Sequence, residues 1–237
     1  MSQEIRWDDE TFVAKLRAVG TARYHHLHPF HVRMNAGRLT PDEIRRWVAN
    51  RFYYQRNIPI KDAAIISNCP VREVRRIWLH RISDHDGFDG NEGGIGAWLT
   101  LGEASGLTED ELLDERHVLP GVRFAVDAYV TLARTKPWPI AVASSLTELF
   151  APDLMRDRIA AFEKYYTWIP EYGLAYFRSR VPQARTDSDQ GLALTLRYCD
   201  TLAMQEEAVR ALSTKCDILW SILDAMEIGL SNPDANE

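Results

Sequence analysis

A lysine in the middle of an apolar helical stripe is the first residue here that demands a chemical account. In the stretch 205–228, Ala208, Leu212, Leu219 and Ile222 share one face, and Lys215 lies three residues after Leu212 and four before Leu219. An ammonium placed there is costly unless it is paired, the bland alternative being a side chain that snorkels to water. The same anomaly recurs elsewhere. Arg81 follows Ile77 and Trp78 on the apolar side of 71–84, with His85 one turn further on. Arg51 and Gln55 are an i,i+4 pair beside Trp47, Val48 and Phe52, and Lys61 follows Pro59. Tyr172, Tyr176 and Arg180 step along 170–180 at four-residue spacing. Each pair alone reads as an ion pair or a solvated edge. Together, in a chain of net charge −6, they describe a buried basic pocket suited to a small ligand with several carboxylates.

Proton chemistry has candidates as well. His25, His26, His28 and His31 crowd one short segment, where a metal site is the tempting reading. Pro29 interrupts the helical register there, however, and no cysteine is near. Neither Glu-x-x-His nor His-x-x-Glu occurs, which argues against a di-iron centre and leaves only ligands converging from scattered positions. Cys69, Cys199 and Cys216 are far apart and form no C-x-x-C pair. Dinucleotide, Walker and nucleophile-elbow motifs are absent, and Gly93-Gly94-Ile95-Gly96 reads as a loop entering a helix. Chemistry on this chain therefore rests on side-chain acids and bases.

The elements that must position these residues are helices. Thr40-Pro41-Asp42-Glu43 and Thr108-Glu109-Asp110-Glu111 are capping boxes. The first opens a helix expected to reach Ile58 and to end or kink at Pro59. Further helical stretches are 8–19, 71–84, 92–104, 121–135, 138–150, 153–165, 170–180, 189–199 and 205–228, with loops at 86–94 and 182–190. Strand patterns are scarce, so the reading is all-α, with one domain over 1–230 and a disordered tail over 231–237. Composition, 46% hydrophobic and 26% charged, argues against a disordered or fibrous chain. The basic residues form no dense run, which argues against a nucleic-acid partner. The longest apolar run is too short for a membrane span and the N-terminus has no leader pattern, so the expected location is the cytoplasm.

In order along the chain come Arg23-Tyr24-His25, His28-Pro29-Phe30-His31, and Asn50-Arg51-Phe52-Tyr53-Tyr54-Gln55 running into Ile58-Pro59-Ile60-Lys61-Asp62. Arg81, Asp84-His85-Asp86-Gly87, Glu92-Gly93-Gly94, Ser144-Ser145-Leu146-Thr147-Glu148-Leu149-Phe150, Tyr176-Phe177 and Lys215-Cys216-Asp217 follow. Over about residues 8 to 228 this series resembles the pyrroloquinoline-quinone synthase family. The resemblance implies a compact multi-helix bundle of the haem-oxygenase-like, TENA-like type, without haem, and a homodimer. It also implies ring closure and O2-dependent eight-electron oxidation of a bicyclic quinoid amino-acid precursor carrying carboxylates. The resemblance further implies that no metal or redox cofactor takes part and that the quinone is the product. By this resemblance Tyr24, His25, His85, Tyr129 and Tyr176 handle protons or oxygen. Arg51, Gln55, Lys61, Arg81, Thr147, Glu148, Arg158 and Lys215 hold the substrate, and Arg180 belongs to both sets.

One position departs from the pattern. After Leu149-Phe150-Ala151-Pro152 the family often has a histidine, where this chain has Met155. Methionine transfers no protons, so either that histidine is dispensable, with His25, His85 or a tyrosine sufficient, or this chain works differently on the late oxidation steps. Three alternatives stay open at this point: a metal-dependent oxidase on the same scaffold, a non-catalytic quinone carrier, and a thiamin-degrading relative needing a cysteine nucleophile.

Overall fold

The computed structural model describes residues 5–231, with side chains as far as residue 228. Eleven α-helices succeed one another among them: α1 Asp9–Arg23, α2 Pro29–Asn35, α3 Pro41–Asn68, α4 Arg72–Asp86, α5 Gly93–Ala104, α6 Glu109–Leu113, α7 Pro120–Thr135, α8 Trp138–Ser144, α9 Ala151–Tyr165, α10 Ala175–Tyr198 and α11 Leu202–Ser231. Single 3-10 turns occupy His25–Leu27, Ser145–Phe150 and Glu171–Leu174. The β structure among the described residues is one bridge between Phe88 and Asn91. Both capping boxes form, with each threonine hydroxyl accepting from the third helical N–H and the glutamate reaching back to the cap N–H.

Three prolines behave differently from the sequence expectation. Helix α3 does not end at Ile58; it continues through a buried Pro59 to Asn68. Proline removes one donor, yet the flanking residues are buried on several sides and tertiary packing holds the helix together. The stretch 182–190, expected as a loop, is the middle of α10, which runs through Pro182. Pro29, expected to break the register, opens α2 at its first position, where proline costs no hydrogen bond. The tyrosine ladder is also shorter than expected: Tyr172 lies in the preceding 3-10 turn and is exposed, while Tyr176 and Arg180 are buried on α10. Ser231, assigned to the tail, is the last residue of α11, and 232–237 lie outside the described residues.

Helix α3 runs through the middle of the bundle, packed by α4, α5 and α7, while α11 lies against α1, α7 and α8, and α10 against α9. Trp47, Trp98, Phe162 and Phe177 form an aromatic centre with ring centroids 5.5–6.2 Å apart. The end of α4 is fastened by two glycines in the left-handed region. At Gly87 a Cβ would meet the Asn91 carbonyl at 2.0 Å, and at Gly93 it would meet the Gly87 nitrogen at 2.5 Å. No described helix is long and apolar enough to cross a membrane.

Candidate active site

Six elements send polar side chains to one internal cavity. Because α3 passes through Pro59, Arg51, Tyr54, Gln55, Ile58 and Lys61 fall on one stripe and all face it. Tyr24 and His25 come from the end of α1 and its following turn, His85 from α4, Tyr129 from α7, and Ser145, Thr147 and Glu148 from the 3-10 turn after α8. Met155 on α9 and Tyr176 and Arg180 on α10 complete the wall. Eleven of the fourteen residues expected from sequence thus line one cavity. Arg81, Arg158 and Lys215 do not; they stand one layer behind it. Free space amounts to about 60 Å3, because side chains pair across it.

One wall is a ring of charge. Arg81 is ion-paired with Glu148 and lies 3.3 Å from Asp187, while Arg180 lies 3.1 Å from Asp187 and 3.9 Å from Glu148. Beside it Lys61 pairs with Asp62 and donates to the Ser145 hydroxyl at 3.1 Å. Burial opposes ionisation of Asp62, but Lys61 and Arg81 overcome it and hold the carboxyl below its ordinary value.

Hydrogen bonds to backbone carbonyls fix the tautomers of His85 and His31. His85 Nδ1–H donates to the Arg81 carbonyl at 3.1 Å, leaving the Nε2 lone pair unclaimed. Burial, then the Arg180 charge, pulls His85 down to about 4, so it is neutral at pH 7. His31 donates from Nδ1 to the His25 carbonyl at 3.0 Å and accepts at Nε2 from Arg158 at 3.1 Å. Arg158 is buried over the faces of Trp47 and Phe177 with no carboxylate partner among the described residues, and burial lowers it to about 9. His28 accepts from the Phe30 N–H as the α2 cap and bonds Asp224, a structural role.

Lys215 does not snorkel: it is fully buried. Its ammonium donates to the Tyr54 hydroxyl at 2.7 Å and sits 3.2 Å over the Tyr129 ring. With no carboxylate in contact among the described residues, burial pulls it well below its ordinary value. Burial also raises the tyrosines Tyr24, Tyr54, Tyr129 and Tyr176, which stay protonated.

A larger surface cavity of about 840 Å3 lies between the start of α3 and the loop before α7. Arg45 there is half-buried and paired with Asp42 and the Ser105 carbonyl, Arg116 is exposed and paired with Asp114, and Arg46 has one buried nitrogen without a partner among the described residues. The inner cavity is the better candidate because nine buried side-chain atoms lack a hydrogen-bond partner among the described residues, and five belong to its cluster: His25 Nδ1, Gln55 Oε1, Asp62 Oδ2, Arg81 Nε and Arg158 Nε. Among the described residues no three His, Cys, Asp or Glu side chains gather as for a metal ion. The cysteines are buried, which pushes Cys199 up to about 12 and Cys216 to about 11 and leaves no thiolate nucleophile.

Sequence reasoning missed Tyr54, Ser145, Asp62 and Asp187. Asp62 was visible as the neighbour of Lys61, and Tyr54 as the residue one turn from Arg51; Asp187 was hidden by the expected loop.

The family model described as TENA/THI-4/PQQC matches residues 13–225. The chain belongs to the TENA/THI-4/PQQC family. Within it, the chain is 56% identical over 226 residues to a protein of Cronobacter sakazakii named pyrroloquinoline-quinone synthase, covering 95% of this chain and 90% of that one. Proteins of the same name from Klebsiella pneumoniae and Pseudomonas putida are 55% and 54% identical over 92% and 96% of this chain and 86% and 90% of theirs. Solved structures show the fold. A domain with a heme oxygenase-like fold from Shewanella denitrificans aligns with TM-score 0.76 at 10% identity, covering 97% of this chain and 94% of that one. A TenA homologue from Pseudomonas syringae aligns with TM-score 0.74 at 12% identity, covering 96% of this chain and all of that one.

Proposed function

We propose that this chain is an enzyme of pyrroloquinoline-quinone synthesis that closes the ring of a bicyclic quinoid amino-acid precursor and completes its eight-electron oxidation. In this reading O2 accepts the electrons, hydrogen peroxide leaves, and no metal or organic redox cofactor takes part. The observation that carries it is a buried cavity walled by Arg51, Lys61 and Arg180 together with one neutral, tautomer-fixed histidine. The names of the relatives support it.

Each part has a physical task. Guanidinium and ammonium groups pair with the ligand's carboxylates and quinone oxygens, and a forked arginine fixes a planar ring. His85 Nε2 takes a proton from the ring, making an electron-rich anion that can itself reduce O2. The surrounding cations stabilise the reduced oxygen species. Protonated tyrosines return protons as the product aromatises. Met155 sits in the wall without an acid or base function, so proton transfer falls to His85, His25 and the tyrosines.

Absorption titration with pyrroloquinoline quinone tests the reading. The quinone spectrum is expected to shift at one ligand per chain, and Arg180→Ala to weaken binding by about 2–5 kcal/mol while the protein still folds. An unchanged spectrum at high protein concentration contradicts it, as does a variant that loses stability with affinity intact.

A further inference from the structure

Asp187 closes the charged ring from behind. It lies seven residues after Arg180 on α10, 5% exposed, with one carboxylate oxygen on Arg180 and the other on Arg81. Glu148 bridges the same two arginines from the 3-10 turn after α8. Two carboxylates and two guanidiniums therefore balance, and only Arg180 and Glu148 reach the cavity. The other charged or titratable groups facing the ring do not alter that balance. Lys61 and Asp62 from α3 neutralise each other, His85 from α4 is neutral, and Tyr129 from α7 and Tyr176 from α10 stay protonated, while Lys215 from α11, which feels the Glu148 charge, is pulled below its ordinary value by burial and bonded to Tyr54. From α9, Arg158 stacks on Trp47 and Phe177.

An anionic ligand entering so small a cavity has to take Arg180 from its present partners. Glu148 and Asp187 would then share Arg81 alone, a half-buried and a buried carboxylate on one counter-ion, which disfavours ionisation of both at once. We propose that the Glu148–Asp187 pair is the charge compensator of the site, taking up one proton from solvent when the ligand's anionic group engages Arg180. This rests on the reading of the ligand as an anionic quinone. Asp187 is then a positioning residue that sets the ionisation of its neighbours. In the free protein, burial and the Glu148 charge already push its carboxyl up to about 6.

Calorimetric titration of the full chain with pyrroloquinoline quinone, in phosphate and in Tris, reads the protons bound per ligand. At pH 7.5 the wild type is expected to take up close to one, falling towards none at pH 5, where the pair already holds its proton. Asp187→Asn is expected to bind the quinone with almost no uptake at either pH. Quinone bound to the wild type without proton uptake overturns the proposal alone, and so does equal uptake by the variant. If the variant does not fold, the pH dependence of the wild type decides. If the wild type binds no quinone, the functional reading falls and the proposal with it.

Discussion

At the scale of single residues, His85 and Lys215 are both held neutral-leaning by burial, yet they serve differently. His85 faces the cavity with a free lone pair, so His85→Asn, which keeps the shape but not the basicity, is expected to lower kcat by about 10²–10⁴-fold. Single-turnover absorption on the precursor reads this, and a loss confined to KM would reassign His85 to binding. Lys215 has no route to the ligand except through Tyr54 and Tyr129. A lysine whose folded pKa is depressed costs stability at every pH below its unfolded value near 10.5. Lys215→Met is therefore expected to raise the melting temperature at pH 7, with the gain shrinking towards pH 10, while weakening quinone binding. A lower melting temperature at pH 7 would show that the tyrosine faces more than offset desolvation. Lys215 was legible in the sequence as an anomaly because a charge breaks an apolar stripe. Its pairing with Tyr54 was not, because Tyr54, though one turn from Arg51, lies 161 residues away in sequence.

Elements decide which residues can meet. The fourteen expected residues were found through local spacing and family likeness, but their assembly depends on two helices that continue through proline. Local rules assign the break at Pro59 because they count one lost hydrogen bond; they cannot see that burial around Lys61 and Ala64 outweighs it. The same blindness turned 182–190 into a loop and removed Asp187 from view. Glycine signals were clearer in type than in purpose. Gly87 ends α4 two residues after His85 in a conformation closed to other residues, with the Asn91 carbonyl where a Cβ would be. Gly87→Ala is expected to cost at least about 1 kcal/mol in urea denaturation and to lower activity by shifting His85. Unchanged stability would mean that the 87–92 loop has no part in holding the histidine.

Across the whole molecule, the all-α class was readable because helical periodicity and capping boxes agree everywhere. The arrangement of helices was not, since it is set by long-range contacts such as Trp7 with Gln205. The buried histidines give the protein a signed pH response. His25, His31 and His85 all lie below their ordinary value because burial disfavours the imidazolium. As pH falls from about 6.5 the unfolded chain takes up these protons first, so stability declines at up to about 1.4 kcal/mol per unit for each histidine. Asp187 and Asp86 work in the opposite sense, their carboxyls raised by burial and gaining stability as pH falls, Asp187 through about 6, but two groups do not offset three. Unfolding free energy from urea curves is expected to be lower at pH 5 than at pH 7 by about 2 kcal/mol or more. A flat or rising profile would mean that these histidines are charged in the folded protein.

The most direct test of the central claim is oxygen uptake on mixing metal-free protein with the bicyclic precursor in air, with the absorption spectrum recorded alongside. Oxygen consumption together with the growth of the product quinone's absorption is the predicted result, and it would show that a wall with Met155 supports turnover. Spectral change without oxygen uptake would contradict the oxidase and leave a binding protein. Uptake that appears only when metal is restored would contradict the cofactor-free chemistry.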